Sequence, residues 1–188
     1  MSDTTPPFPP ARADLPQLVN VLSHAGVTLR AATTTDMPIL RQLYAHTRAD
    51  ELAAVDWPRP VKAQFLESQF TLQHRHYVSH YADADFLVLE QSGSVLGRLY
   101  LQRRSPNFLI VDITLLPRAQ GQRIGRGLIT AIQQLAADVD CGVQLHVDPR
   151  NLGARRLYQR LDFHQMEEAS AEPYLLMQWH ANVAASLN

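Results

Sequence analysis

The feature that most constrains the fold of this chain is a change of hydrophobic period near Pro117. A strand-like apolar run ends at Pro117, a polar turn with glycine follows, and from Ile124 onward apolar residues recur at helical spacing. A glycine-containing turn that opens a helix points several backbone N–H groups at one spot, and the helix dipole adds positive potential there. Gln122, Arg123 and Arg126 supply further donors and charge. The turn is therefore predicted to bind an anion, and a phosphate is the expected ligand.

Length and composition predict one domain. The 188 residues are 46% apolar, which suffices for a single layered core. Residues 1–14 are rich in proline and threonine and are expected to form a disordered tail, so that residues 15–188 make up the domain. The formal net charge of -1 gives no bulk attraction to nucleic acid or to an anionic membrane, so anion binding has to be local.

Cysteine usage and hydropathy predict the compartment. Cys141 is the single cysteine, which excludes an intramolecular disulfide framework and a cysteine-rich zinc site and suits a reducing environment. The sequence has no secretory leader pattern at its start and no run of about 18 apolar residues. A soluble cytoplasmic protein is expected.

Hydrophobic periodicity predicts the element order β-α-α-β-β-β-α-β-α-β-β. Strands are predicted at residues 27–31, 86–89, 95–101, 107–116, 143–147, 163–167 and 174–179. Helices are predicted at residues 61–81, 124–135 and 154–161, with an earlier one that carries Ile39, Leu40, Leu43 and Tyr44, and a short one at residues 15–24. A turn at residues 92–94 joins the second and third strands into an antiparallel hairpin.

Two motifs within this order resemble the GNAT superfamily of N-acetyltransferases, and the resemblance covers residues 27–180. The acyl-CoA signature of the family is Gln or Arg, two residues, Gly, one residue, then Gly or Ala. Gln120 and Gly125 match its ends, and Arg123 replaces its middle glycine. A second family segment follows in the expected place, with matches at Asn151, Ala154, Tyr158 and Phe163, and with Asp162 where the family usually has glycine.

The resemblance implies an α/β (α+β) fold, with a mixed, mostly antiparallel sheet of six or seven strands flanked by helices. It also implies transfer of an acetyl group from acetyl-CoA to a primary amine of a small molecule or peptide, by direct attack in a ternary complex. The expected partners are acetyl-CoA and the amine, without nucleic acid, membrane or metal, in a monomer or a homodimer. Two alternatives stay open: an acyl-CoA-binding sensor or interaction module without turnover, and a nucleotide-binding domain of another fold.

The resemblance also implies where CoA binds. Backbone amides of the turn would hold the pyrophosphate, and the preceding strand edge would pair with the amides of the pantetheine arm as another strand would. The residues implied in cofactor binding are Ile113, Leu115, Gln120, Gly121, Gln122, Arg123, Ile124, Gly125, Arg126, Asn151 and Tyr158. Asn151 is expected to cap the following helix as well.

Tyr158 is the implied general acid. By resemblance its hydroxyl protonates the leaving CoA thiolate, and a phenol with a pKa of about 10 can donate to a thiolate whose conjugate acid lies near 8.5. Because Tyr158 shares a helical face with Leu157 and Leu161, a purely structural core tyrosine is the alternative.

The general base has several candidates. For a lysine-like amine with a pKa of about 10.4, deprotonation at pH 7 costs roughly 4 to 5 kcal/mol, so a base or a water relay is useful. Glu51 ranks first, because the family builds its acceptor pocket from the first two helices. Asp112 ranks second, since it lies beside the implied thioester, although pairing with a strand neighbour such as Arg98 is an equal alternative. A third group comprises His74, His76 and His80.

The acceptor itself stays open, because charges of both signs occur near the predicted pocket. Asp50, Glu51 and Asp56 favour a cationic amine, whereas Arg48, Arg98 and Tyr100 favour an acid group such as a carboxylate. His76 and His80 have a spacing that suits a metal, but the sequence offers no third ligand.

Overall fold

A computed structural model describes residues 5–12, 26–166 and 173–181 of the chain. The short helix expected at residues 15–24 lies outside these residues. The helices are α1 (Met37–Thr47), α2 (Ala49–Ala53), α3 (Arg59–His80), α4 (Ile124–Ala137) and α5 (Leu152–Gln159). The strands are β1 (Val27–Ala31), β2 (Asp85–Gln91), β3 (Ser94–Gln102), β4 (Asn107–Leu115), β5 (Gly142–Val147), β6 (His164–Gln165) and β7 (Leu175–Trp179). The predicted order is confirmed, and α2 is additional because so short a helix shows no hydrophobic period.

The strands form one sheet in the order β1-β2-β3-β4-β5-β7-β6. Every neighbouring pair is antiparallel except β4 and β5, which are parallel and are connected through α4. A parallel pair requires such a crossover, because a tight turn reverses the chain direction. The predicted fold class, a mixed and mostly antiparallel sheet flanked by helices, is thus confirmed.

The parallel strands β4 and β5 pair over only part of their length. Their register begins at Asn107 opposite Gly142 and ends at Ile110 opposite Leu145, whereas β4 continues to Leu115. Residues 111–115 of β4 are all half-buried. The second half of β4 therefore has an edge that β5 does not cover.

A β-bulge marks the place where β4 leaves β5. Leu101 of β3 lies opposite Ile110, but the next residue towards the start of β3, Tyr100, lies opposite Asp112, so Val111 is an extra residue in β4. A bulge resets the alternation of side chains between the two faces of a sheet. Directly opposed residues share a face, so the bulge puts Asp112 on the same face as Tyr100.

Helices cover both faces of the sheet and bury two hydrophobic clusters. Leu128 and Ile132 of α4 and Tyr158 of α5 pack with the first cluster, on one face. The second cluster includes Leu40 of α1 and Phe70 of α3, packed against strand residues of the other face. No helix in the described part of the chain is long and apolar enough to cross a membrane.

Part of the N-terminal segment packs on the second cluster. The ring centroid of Phe8 lies 4.8 Å from that of His74 and 5.5 Å from that of Phe86. Nε2 of His74 is 2.8 Å from the carbonyl oxygen of Pro6. These contacts differ from the disordered tail expected for residues 1–14, because one aromatic side chain between prolines buries apolar area without any strand or helix period. Residues 1–4 and 13–14 lie outside the described residues.

Candidate active site

The turn between β4 and α4 has two residues in the left-handed backbone region. A single 3-10 turn, Pro117–Ala119, follows β4, and α4 begins at Ile124 with Arg123 as its N-cap. The φ angles of Gly121 and Arg123 are +73° and +64°. Glycine reaches this region without steric cost, whereas an arginine with a Cβ atom is strained there. The turn therefore has the backbone shape of a glycine loop although one position is arginine.

The backbone donors of this turn are unused. Gln120 donates its N–H to the carbonyl of Pro117, and the next backbone hydrogen bond along the chain runs from Gly127 to the carbonyl of Arg123. Within the described structure, the N–H groups of residues 121–126 thus have no backbone acceptor. Residues 120–123 are exposed. A row of free N–H groups at the N-terminus of a helix is a binding site for an anion.

Several polar side chains of the turn stabilise the turn itself. The side-chain amide of Gln120 donates to the carbonyl of Leu115 at 3.0 Å, and that of Gln122 donates to the carbonyl of Arg118 at 2.6 Å. For Arg123 and Arg126, by contrast, no residue in the described ranges is a polar partner. That Gln122, Arg123 and Arg126 offer side-chain donors to the anion stays a prediction.

Helix α5 packs against the start of α4. Asn151 is its N-cap, and the side-chain oxygen of Asn151 accepts the N–H of Ala154 at 3.1 Å, as expected. A Cβ atom on Gly125 of α4 would lie 3.7 Å from Leu115 and 3.8 Å from Leu157, so the start of α4, the end of β4 and α5 pack closely together.

Tyr158 of α5 is buried with an unpaired hydroxyl. It is 7% exposed and its ring packs 5.8 Å from that of Phe163. No residue of the described segments forms a hydrogen bond with its hydroxyl. Burial, followed by the negative charge of Asp112, raises the pKa of Tyr158 to about 12. The structure thus brings Tyr158 and Asp112 within electrostatic range of each other.

Asp112 of β4 is held by three side chains. Arg98 of β3 donates from Nε to Oδ1 at 3.0 Å and from Nη2 to Oδ2 at 2.9 Å. The hydroxyl of Tyr77 on α3 donates to Oδ2 at 3.1 Å, and that of Thr114 donates to Oδ1 at 2.8 Å. Arg98 is only 2% exposed. Burial is the largest single influence and disfavours its charge, but interactions with Asp112, Tyr100 and Tyr77 together outweigh burial and raise the pKa of Arg98 above its ordinary value.

Glu51 of α2 lies apart from this cluster, in an exposed network. Its carboxylate accepts hydrogen bonds from Arg48 at 3.2 Å and from Nη2 of Arg150 at 3.2 Å. The same Nη2 of Arg150 lies 2.8 Å from Asp148. Arg150 belongs to the loop between β5 and α5, so this network links α2 to the loop that precedes Asn151.

The three histidines have different surroundings. His74 is 2% exposed, and burial lowers its pKa. His76 and His80 are exposed on α3, with their ring centroids 4.1 Å apart. Among the described residues, no group of three or more His, Cys, Asp and Glu side chains is arranged to hold a metal ion.

Sequence reasoning missed the contribution of α3 to this site. Tyr77 donates to Asp112, and Gln73 accepts a hydrogen bond from Nη2 of Arg98 at 2.9 Å. Gln73 and Tyr77 are four residues apart and share one face of α3. This spacing was the feature of the sequence that could have indicated their common site. The signal was ambiguous because the same face also carries core residues.

Residues 40–163 match the family described as "Acetyltransferase (GNAT) family", which is more than half of the chain. The chain therefore belongs to the GNAT acetyltransferase family. No curated protein matches the sequence significantly.

Solved structures share the fold at low sequence identity. The PaiA N-acetyltransferase of Thermoplasma acidophilum, solved in complex with coenzyme A, is 13% identical with a TM-score of 0.62, over 82% of this chain and 99% of that one. The ribosomal-protein-S18-alanine N-acetyltransferase of Escherichia coli is 17% identical with a TM-score of 0.56, over 86% of this chain and 99% of that one. A GNAT-family acetyltransferase of Staphylococcus aureus Mu50 is 10% identical with a TM-score of 0.60, over 82% and 98%.

Proposed function

We propose that the protein transfers an acetyl group from acetyl-CoA to a primary amine of a small molecule or peptide, by direct attack in a ternary complex. The observation that carries this proposal is the row of free N–H groups at residues 121–126, next to the uncovered edge of β4. Membership of the GNAT acetyltransferase family supports it. The neighbouring PaiA structure contains coenzyme A, which supports acetyl-CoA as the co-substrate.

The CoA pyrophosphate would bind the backbone amides of residues 121–126, where the dipole of α4 adds positive potential. The pantetheine arm would pair with the backbone of Ile113 and Leu115, because this part of β4 lacks a partner in β5. One backbone N–H of the same edge would polarise the thioester carbonyl. Asn151 would contact the pantetheine as well as capping α5.

In the proposed reaction, the amine nitrogen attacks the thioester carbonyl carbon and a tetrahedral intermediate forms. Its collapse breaks the C–S bond and expels the CoA thiolate. Tyr158 donates its hydroxyl proton to the sulfur and is reprotonated from solvent. Because burial raises its pKa to about 12, Tyr158 is protonated at neutral pH and serves as an acid rather than as a base.

Glu51 is the proposed base for the amine proton. It is open to solvent, with a side chain 43% exposed, so it can pass the proton on to water. Asp112 is the weaker candidate, because it is largely buried and is the counter-charge of Arg98, whose side chain is 2% exposed. Glu51 and Asp148 would also attract a cationic amine, whereas Arg48 and Arg150 partly neutralise them.

The proposal is tested first by binding and then by turnover. We expect acetyl-CoA to raise the melting temperature in a thermal-shift experiment, while ATP and NAD leave it unchanged. A panel of amines is then screened for release of free CoA thiol. Binding with turnover supports the enzyme, whereas binding without turnover on any amine favours a sensor or interaction module. Binding of ATP or NAD without binding of CoA contradicts both.

A further inference from the structure

Asp112 is the most heavily hydrogen-bonded carboxylate near the proposed thioester site. It accepts hydrogen bonds from side chains on three different elements: Arg98 on β3, Tyr77 on α3 and Thr114 on β4. Gln73 on α3 accepts a further bond from Arg98. We call Arg98, Asp112, Tyr77 and Thr114 the β4 clamp. A carboxylate with both oxygens engaged has little capacity left to accept a proton from a substrate.

The burial of Arg98 further disfavours transfer of a substrate proton to Asp112. The Arg98 side chain is 2% exposed and that of Asp112 is 10% exposed. Protonation of Asp112 would leave the guanidinium buried without a counter-charge, which is strongly unfavourable. Asp112 therefore serves Arg98 as a counter-charge, a structural role that conflicts with gaining and losing a proton in each turnover.

The position of the clamp indicates a different role. Asp112 follows the extra residue Val111 of the bulge, at the point where β4 separates from β5. Beyond this point, no strand in the described part of the chain pairs with β4 on the β5 side. A bulged strand with one open edge can be held only by its remaining strand neighbour and by the helix that packs on its face. The clamp makes both kinds of contact, through Arg98 of β3 and through Tyr77 of α3.

We propose that Asp112 is a positioning residue, and that the β4 clamp holds the bulged, open edge of β4 in the geometry that receives the acyl-CoA thioester. This inference rests on the proposed acetyl transfer. Under it, loosening the clamp displaces backbone groups of residues 111–115 and lowers kcat, while the turn at residues 121–126 still binds CoA. Asp112 then takes no proton from the amine.

The test compares two double variants that replace an ion pair by apolar residues. Arg98→Met with Asp112→Leu removes the clamp without stranding a buried charge, an exchange that proteins commonly tolerate. Arg103→Met with Asp85→Leu is the matched control, because Arg103 and Asp85 form another largely buried pair, at 2.7 Å. Arg103 directly follows β3 and Asp85 begins β2, away from the open edge of β4. Tyr77→Phe and Thr114→Val each remove one hydrogen bond and serve if the clamp double variant fails to fold.

Three measurements are made on each variant. They are amide hydrogen exchange in residues 111–115, the Kd for CoA, and kcat with its pH profile. For the clamp double variant we expect about tenfold faster exchange, about a tenfold or larger loss of kcat and a Kd for CoA within about threefold of the parent protein. Tyr77→Phe and Thr114→Val should change exchange and kcat in the same direction, by smaller factors. The control double variant should change neither.

Two results would overturn the inference. One is unchanged exchange and unchanged kcat in the clamp variants. The other is a general-base signature in Asp112→Asn, namely loss of the acidic limb of the pH profile with activity recovered at high pH. Failure of the proposed function gives a different result, namely that the parent protein neither binds CoA nor turns over. Even then, amide hydrogen exchange in the parent protein and the clamp variants shows whether the clamp holds β4.

Discussion

At the scale of single residues, Arg123 occupies a left-handed backbone conformation that favours glycine. Its φ of +64° is a conformation that glycine adopts freely, and the family signature has glycine at this position. The proposed phosphate contacts use backbone N–H groups, which do not depend on the side chain. The Arg123 backbone is therefore strained, and the proposed phosphate contacts of the backbone N–H groups do not require the Arg123 side chain.

We predict that Arg123→Gly raises the free energy of unfolding by about 1 kcal/mol, because it removes this strain. Its Kd for CoA should stay close to that of the parent protein. Denaturant unfolding and calorimetric titration measure the two quantities. Arg126→Ala is the matched control for stability, since it removes an exposed arginine of the same turn without altering a left-handed residue. A large loss of CoA affinity in Arg123→Gly alone would mean that the guanidinium binds the phosphate.

Tyr158→Phe tests the proposed acid. The substitution removes a hydroxyl that lacks a partner among the described residues, so the melting temperature should change little. We expect kcat to fall by about a hundredfold while the Kd for acetyl-CoA stays constant. Because the pKa of Tyr158 is raised to about 12, ionisation of this group should not limit the rate of the parent protein up to about pH 10. The control is Tyr174→Phe, at a tyrosine that is 43% exposed, and a fully active Tyr158→Phe would remove Tyr158 from the mechanism.

At the scale of elements, the spacing between β3 and β4 depends on Gly97. A Cβ atom at this position would collide with the carbonyl oxygen of Thr114 and lie 2.7 Å from a methyl group of Leu115. Gly97 pairs with Leu115 at the end of β4, beside the open edge. The absence of a side chain on β3 is therefore what lets the last residues of β4 lie so close.

We predict that Gly97→Ala lowers the free energy of unfolding by roughly 1 to 3 kcal/mol and lowers kcat, because β4 has to move away. Gly153→Ala in α5 is the matched control, since the added Cβ would make only an ordinary contact of 3.8 Å with Asn151. Alanine favours a helix over glycine, so the control should gain about 0.5 to 1 kcal/mol. Equal effects of the two substitutions would contradict this account.

At the scale of the whole molecule, the N-terminal segment and α3 meet at a buried histidine. Burial lowers the pKa of His74; the Pro6 carbonyl opposes this shift, and the charges of Arg98 and Arg41 reinforce it. The unfolded chain, with a histidine pKa of about 6.5, thus binds this proton more readily than the folded protein does. The stability that neutral His74 contributes is present above about pH 6.5 and is lost as the pH falls below that value.

We therefore predict that the parent protein loses stability between pH 7.5 and pH 5.5, and that His74→Gln loses less over the same interval. Denaturant unfolding at both pH values measures the difference. Phe8→Ala exposes His74 and should also flatten the dependence, because the burial that lowers the pKa is relieved. An identical pH dependence in all three proteins would assign the effect to other groups.

Much of the fold was predictable because its elements are periodic. The alternation at Val27 and Leu29, and the helical spacing of Leu128 and Ile132, each reflect one buried face, and a buried face leaves its period in the sequence. The short helix α2 and the packing of Phe8 were missed, because neither is long enough to show a period.

The candidate site likewise has a part that could be predicted from local sequence and a part that could not. The turn at residues 121–126 is local, since a strand, a glycine-bearing turn and a helix start follow one another in the chain, and the cap at Asn151 is local too. The surroundings of Asp112 are not local. The bulge at Val111 puts Asp112 on the same face of the sheet as Tyr100 and Arg98, and Tyr77 reaches Asp112 from a helix 35 residues earlier in the chain.

By itself, the sequence determined the strands and helices, their order and the turn that precedes α4, because these features depend on residues that are neighbours along the chain. Only the tertiary structure decided that β4 and β5 separate beyond Ile110, and that Asp112 is clamped by Arg98 while Glu51 is open to solvent. The physical reason is that burial and charge pairing act between residues brought together by folding, over separations along the chain that no local pattern records.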